Sequence, residues 1–249
     1  MTGFVGKTPR IGCAGWAVPA AYAALFGPGD SVLARYATRF NAVEINSSFY
    51  RPHQHKTYVR WAGSVPRDFR FSVKMPKAIT HENRLQRTGM ALDRFVDEIG
   101  GLGNKLAGVL VQLPPSLALD SRVASTFFAM LRRRLSANIA CEPRHASWFT
   151  AKGDALWRQF DIARVAADPA IEAAARVPAG AGQWRYWRWH GAPRIYYSAY
   201  EEDALRALAA AIRESGANLA FSWVIFDNTA LGHAVANAAW LQEYLERPA

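Results

Sequence analysis

Short β-rich runs alternate with helix-like stretches along almost the whole chain, and this alternation restricts the possible folds more than any other feature. Parallel βα units produce such a pattern, because a helix must carry the chain back across the sheet between parallel strands. Eight strands are expected, at residues 10–15, 41–46, 69–74, 108–113, 137–142, 162–168, 184–190 and 219–226. Asp30 or Ser31 caps a helix reaching residue 39, with Leu33, Tyr36, Ala37 and Phe40 at helical spacing. Further helices are expected at 56–63, 91–99, from Asp120 or Ser121 to about 134, 154–160, 201–215 and 232–245. The Gly100–Gly103 run and Gly216 stop helices, while Pro114-Pro115 and Pro169 end strands. The Ala-rich stretch 166–182 reads as a loop or short helix in place of a full sixth helix.

Eight strands, most followed by a helix, predict an α/β fold: one (β/α)8 TIM-like barrel formed by residues 1–249, with an open doubly wound sheet as the competitor. A length of 249 residues suits the barrel, and no linker or internal repeat divides the chain. Half of the residues, 51 %, are apolar, which excludes a disordered protein. Cys13 and Cys141 lie far apart in strand-like contexts and read as reduced, buried thiols. The N-terminal stretch lacks an apolar core and no run of 18 apolar residues occurs, so a cytoplasmic protein with no membrane association is expected.

A barrel gathers function where its strands end and its βα loops begin. The residues there are Trp16, Glu44 and Asn46, Lys74, Gln112, Glu142 with Arg144 and His145, Asp168, Arg188 and His190, and Asp227 and Asn228. Side chains alternate between the two faces of a strand. Trp187 and Trp189 suit the helix layer, which turns Tyr186, Arg188 and His190 inward; Arg70, Ser72 and Lys74 likewise oppose Phe69, Phe71 and Val73. The same groups also read as buried ion pairs, Lys74 with Glu44 or Glu142 with Arg188.

The segments Ile11–Trp16 (IGCAGW), Val43–Tyr50 (VEINSSFY), Phe71–Pro76 (FSVKMP) with Thr80-His81, and Val111–Ser116 (VQLPPS) resemble the YecE-like family, domain of unknown function 72. So do Glu142–Trp148 (EPRHASW), Asp168-Pro169, Arg188–Gly191 (RWHG) and Phe226–Asn228 (FDN), in order along nearly the whole chain. The resemblance implies a single TIM-like barrel and no settled reaction. Cys13 stands where many relatives have Thr or Ser, and Pro143 where an aromatic residue is commoner.

The strand-end residues predict an enzyme, of isomerase or hydrolase type, acting on a small polar or anionic substrate that is carbohydrate-like or phosphorylated. Glu44 and Glu142 are the candidate acid and base, His145 and His190 relay protons, and Asp168 completes the acidic set. Lys74 stabilises an oxyanion or acts as nucleophile. Trp16, Phe49, Tyr50 and Trp148 would wall the site, with Asn46, Gln112, Arg144, Arg188, Asp227 and Asn228 orienting oxygens. A divalent metal on Glu44, Glu142, Asp168, His190 and Asp227 is an alternative that neighbouring Lys74 and Arg188 disfavour.

The chain carries 30 Lys and Arg against 20 Asp and Glu, a net charge of +10, and 24 of the cations are Arg. That balance makes nucleic acid an alternative partner, through Arg84, Arg87 and Arg132–Arg134. The last three, however, fall in the final turn of a helix, where cations suit the dipole. Ser47-Ser48 lacks a GxSxG elbow, no GxGxxG follows the first strand, His53 and His55 read as exposed loop residues, and His233 belongs to the last helix.

Overall fold

Phe69, Phe71 and Val73 lie on one face of a strand and Ser72 and Lys74 on the other; the two faces enter different surroundings. The computed structural model describes residues 8–215 and 221–247. Its strands are β1 (Arg10–Cys13), β2 (Ala42–Ile45), β3 (Arg70–Lys74), β4 (Leu106–Gln112), β5 (Asn138–Glu142), β6 (Ile162–Arg164), β7 (Ala166–Asp168), β8 (Ala179–Gly180), β9 (Arg185–Trp189) and β10 (Ser222–Phe226). Its α-helices are α1 (Val32–Tyr36), α2 (His55–Gly63), α3 (Gly89–Gly100), α4 (Ser121–Arg134), α5 (Ala151–Gln159), α6 (Glu202–Glu214) and α7 (His233–Glu246). The fold is α/β with parallel-dominated sheets: one ordered β1-β10-β9-β7, the other β2-β3-β4-β5-β6-β8. Among the described residues every strand pairing is parallel except β6 with β8.

The expected single ladder is therefore replaced by two, and side chains account for the first break. Between β1 and β2 the Tyr36 hydroxyl accepts from the Cys13 N–H at 2.8 Å and donates to the Ala42 carbonyl at 3.1 Å, taking groups a ladder would use. Arg10 donates to the Asn41 carbonyl at the same edge, and one bridge, Ala14 with Glu44, completes the contact. Gly12 is required here: a Cβ would stand 2.0 Å from the Ala42 oxygen. The second break splits the expected strand 162–168 at Val165. Its first half pairs with β5 and its second with β9, while the short β8 covers the lower edge of β6.

Two apolar clusters follow from strand parity. The larger packs strand residues such as Phe71, Val73, Val111 and Trp187 against helix residues such as Leu92, Phe95, Phe128 and Leu208. The smaller joins Ala42, Leu110, Ala140 and Ala163 to Trp184, Tyr186 and Trp223, drawing on strands of both sheets. Small residues on one sheet leave room for these three aromatic rings, whose centroids lie 5.0–6.0 Å apart. They form the floor beneath the polar groups described next.

Other expectations change in detail. Helix α1 ends at Tyr36 rather than residue 39, with the Thr38 hydroxyl donating to the Arg35 carbonyl. Its start is as read, with Ser31 accepting from Ala34 N. Helix α5 begins before the expected 154, because Thr150 caps it. In place of a sixth full helix there is a 3-10 turn, Ala173–Arg176. The uncovered sheet there borders a cavity of about 290 Å³ lined by Trp187, Trp189, Arg176 and α6 alanines. The eighth strand starts at Ser222; residues 219–220, and the helix stop at Gly216, lie outside the described residues.

Candidate active site

At the C-terminal ends of β2, β3, β5, β9 and β10 a cluster of charged side chains sits above the aromatic floor. Arg188, wholly buried, is its centre. Its Nη2 donates to Glu44 Oε1 at 2.8 Å and its Nε lies 3.1 Å from both Glu44 oxygens. Nη1 reaches Glu142 Oε2 at 3.1 Å, and Nη2 also lies 2.9 Å from Asp227 Oδ2. One guanidinium thus joins three carboxylates, which is what five N–H donors in a planar fork allow. Tyr186 donates to Glu44 Oε2 at 2.8 Å and is itself 2.8 Å from the Ser72 hydroxyl, so the cluster is tied to the floor.

His190 bridges two of the carboxylates. Its Nδ1 lies 3.0 Å from Asp227 Oδ2 and its Nε2 3.0 Å from Glu142 Oε1. Arg144 forms an ion pair with the same Glu142 oxygen and places Nη2 2.7 Å from His190 Nε2. Nε2 therefore has a partner in either protonation state: protonated it donates to Glu142, and neutral it accepts from Arg144.

Burial alone would raise the Glu142 carboxyl, but Arg144, His190 and Arg188 outweigh it and hold the group well below the usual carboxylate range. Asp227 is held low in the same way by Arg188, His190 and Lys74 against its burial. Burial lowers Lys74 most, Arg188 adds to it, and three carboxylates only partly compensate, leaving the amine at about 8. Its Nζ rests 4.2 Å from the centroid of the Phe49 ring.

Glu44, Glu142, Arg188, His190, Asp227, Lys74 and Arg144 are thus brought together. Phe49 lies under Lys74, while Tyr50 stands edge-on to Phe49 and is 70 % exposed at the rim. Gln112 ends β4 beside Glu142 in register. Among the described residues the buried Asn46 Oδ1 has no partner, and Trp16 packs against Trp61.

Four expected residues are engaged elsewhere. His145 Nδ1 caps the turn at Ser147, and Asp168 accepts from the Tyr200 hydroxyl at 2.8 Å. Asn228 donates to Ser198 and Asn237. Trp148, 1 % exposed, stacks on Trp157 and donates to the Leu117 carbonyl within the helix layer. His53, read as an exposed loop residue, is half-buried, bonded to Ser47 and packed on Trp61.

Tyr186 and Ser72 share the inward parity of Arg188 and Lys74, as the sequence reading has it, but that reading gives them no part in the site. It also missed Tyr196, whose ring stands edge-on to His190 at 6.0 Å and whose φ of 70° is left-handed, a strained setting for an aromatic residue. Among the described residues no group of three or more His, Cys, Asp or Glu side chains is arranged to hold a metal ion; the acidic oxygens face Arg188 instead. Of the basic residues weighed for nucleic acid, Arg132 donates to Phe160, Ala137 and Asp161 carbonyls, Arg134 pairs with Asp93, and Arg84 donates to Ser116. No helix among the described residues is long and apolar enough to cross a membrane.

Comparison with known proteins bears out the family resemblance. The protein is 29 % identical over 126 residues to the UPF0759 protein YecE of Escherichia coli (strain K12), a stretch that is 51 % of this chain and 46 % of that one. The match thus spans about half the length of the curated relative. A crystal structure of a DUF72 family protein from Thermotoga maritima MSB8 superposes with a TM-score of 0.80 at 22 % identity, covering 97 % of this chain and 100 % of that one. One from Enterococcus faecalis V583 gives 0.77 at 20 % identity, covering 97 % of each. These likenesses concern the fold. The family model described as protein of unknown function DUF72 matches residues 10–249, and the chain belongs to that family.

Proposed function

We propose that the protein is an enzyme that moves protons on a small polar or anionic substrate, carbohydrate-like or phosphorylated, at this charged mouth. The observation that carries the reading is His190 Nε2, which has a hydrogen-bond partner both with and without its proton. A ring that gains or loses a proton without stranding a buried group is suited to general acid/base catalysis. Asp227 fixes the tautomer through Nδ1, and the Glu142 carboxylate stabilises the ring when Nε2 carries the proton it passes to or takes from substrate. Arg144, the least buried member, is placed to take an oxygen of an anionic substrate. Tyr196 stands edge-on beside the His190 ring and donates its backbone N–H to the His190 carbonyl.

The same reading takes residues 8–247 as one domain whose two sheets close into an eight-stranded (β/α)8 barrel. In support, residues 162–168 run as one segment between the sheets, and Ala14 bridges β1 to β2. The mouth then lies at the C-terminal face, where such barrels carry their chemistry. Two free buried thiols, Cys13 pushed up to about 12 by burial, support a cytoplasmic setting.

The test is solvent exchange. Sugars, sugar phosphates and hydroxy acids are incubated with the protein in D2O and followed by proton NMR. Deuterium should enter a carbon-bound position of at least one of them. His190→Gln and Glu142→Gln should each slow that exchange by about 10²- to 10⁴-fold while the ligand still binds. Exchange that proceeds equally in both variants would remove the acid/base reading.

A further inference from the structure

We propose that Lys74 is an imine-forming lysine whose Nζ condenses with the carbonyl carbon of a small anionic aldehyde or ketone held at the charged mouth. The inference rests on the acid/base reading of His190 and Glu142 and names the substrate class for it.

The geometry sets Lys74 apart from the other lysines. Lys105 donates its ammonium to the Ala62 and Val65 carbonyls, and Lys77 pairs with Glu82. Lys74 is 5 % exposed, yet among the described residues its Nζ makes neither an ion pair nor a hydrogen bond; it faces the Phe49 ring. A buried ammonium is ordinarily paired, because desolvation penalises the charge unless hydrogen bonds replace water. Phe49 is in turn packed edge-on against His81, so the amine stands on an aromatic wall with its remaining side toward the cluster. The groups acting on it are Arg188, Glu44, Asp227 and Glu142, and His81 beyond the Phe49 ring is lowered by its burial and then by Lys74. Burial and Arg188 make the neutral amine accessible near neutral pH.

The chemistry balances with groups already present. The amine lone pair attacks the carbonyl carbon to give a carbinolamine. Its C–O bond then breaks as the hydroxyl leaves as water with a proton supplied by the His190–Glu142 pair. The nitrogen passes one of its two protons to the same pair on the way to the carbinolamine and keeps the other, so the imine forms as a cation. No oxidant or reductant is consumed. The cationic imine withdraws electrons from the adjacent carbon, whose proton the same pair can remove. Arg144 suits a carboxylate or phosphate on that substrate.

The probe is glyoxylate, a two-carbon anionic aldehyde, with sodium cyanoborohydride to reduce any imine and peptide mass spectrometry to locate the carboxymethyl adduct. At pH 7 the native protein should be labelled at Lys74 at least about tenfold faster than at Lys56 or Lys152, since an amine near 8 is far less protonated than an ordinary lysine. Lys74→Arg should lose that adduct while retaining the others. Labelling confined to the exposed lysines overturns the proposal, and this readout on the unmutated protein stands even if the variant misfolds. Failure of the two readings is distinguishable. An unlabelled Lys74 with solvent exchange that depends on Glu142 overturns the imine alone. A labelled Lys74 with exchange indifferent to Glu142→Gln and His190→Gln overturns the acid/base assignment alone.

Discussion

Arg188 and Glu44 are 144 residues apart in sequence and meet with Nη2 2.8 Å from Oε1, neither side chain exposed to solvent. They belong to strands of different sheets, β9 and β2, so the pair joins the sheets from inside. Burying two charges is costly, and the pair need not stabilise the fold relative to an apolar replacement of equal volume. Breaking it is a different matter, because Arg188 also neutralises Glu142 and Asp227.

Arg188→Met should therefore destabilise the protein by about 3–5 kcal/mol or more, read as a lower urea midpoint, because three carboxylates are left near one another without their common cation. Adding Glu44→Gln removes one of those charges and should recover part of the loss. A single variant within about 1 kcal/mol of the native protein would show that the cluster does not depend on Arg188.

Lys74 makes an opposite prediction. Unfolded, its amine holds a proton up to about 10.5; folded, it releases one from about 8. Between those values the unfolded chain binds more protons, so this group makes stability rise with pH. Below pH 8 the full cost of burying the charge is present. Lys74→Met should thus be more stable than the native protein at pH 7, by up to about 3 kcal/mol from the displacement of the amine, and the difference should shrink toward pH 10. Denaturant titrations at the two pH values check it, and a constant difference would contradict the assigned burial cost.

Strand parity explains which of these residues could be read in advance. Trp187 and Trp189 alternate with Tyr186, Arg188 and His190, and a period of two sorts them into helix-facing and inward sets without any structure. Glu44, Lys74, Glu142 and Asp227 follow from the same periodicity at other strand ends. What the alternation does not carry is the choice of partner. Trp148 looks equally suited to a pocket wall and to a core, and only its stack on Trp157 decides. Arg144 and His145 are neighbours, yet one faces the cluster and the other caps a turn, because the chain leaves regular strand geometry after Glu142. The break between β1 and β2 depends on one hydroxyl, that of Tyr36, reaching across from α1.

Gly12 tests that junction. An alanine Cβ there would lie 2.0 Å from the Ala42 oxygen and 2.8 Å from the Tyr36 hydroxyl, and backbone cannot yield as a flexible side chain can. Gly12→Ala should cost about 1–3 kcal/mol or more through overpacking. The native hydroxyl bridge would also be displaced. A thermal melt compared with Gly89→Ala, where a Cβ meets nothing within 4 Å, separates this clash from the general effect of replacing glycine. Equal melting shifts for the two variants would argue against the close approach.

Acid sensitivity should be concentrated in Glu142. Its carboxyl and that of Asp227 are held below their ordinary values of 4.5 and 3.8. A carboxylate depressed in the folded state contributes stability that is complete above its unfolded pKa and is lost as pH falls through the folded one. Near pH 3 the unfolded chain has already bound these protons while the native cluster resists them, so stability there climbs with pH. Glu142→Gln removes one such group and leaves Arg144 and Arg188 with less counter-charge. The variant should be less stable than the native protein at pH 7, by about 3 kcal/mol for a broken buried pair. The gap should narrow progressively below pH 4.5, because the native protein is losing the contribution the variant never had. Urea midpoints for the two proteins from pH 7 down to pH 3 decide the matter, and parallel curves over that interval would mean that Glu142 is not held ionised by its cationic neighbours.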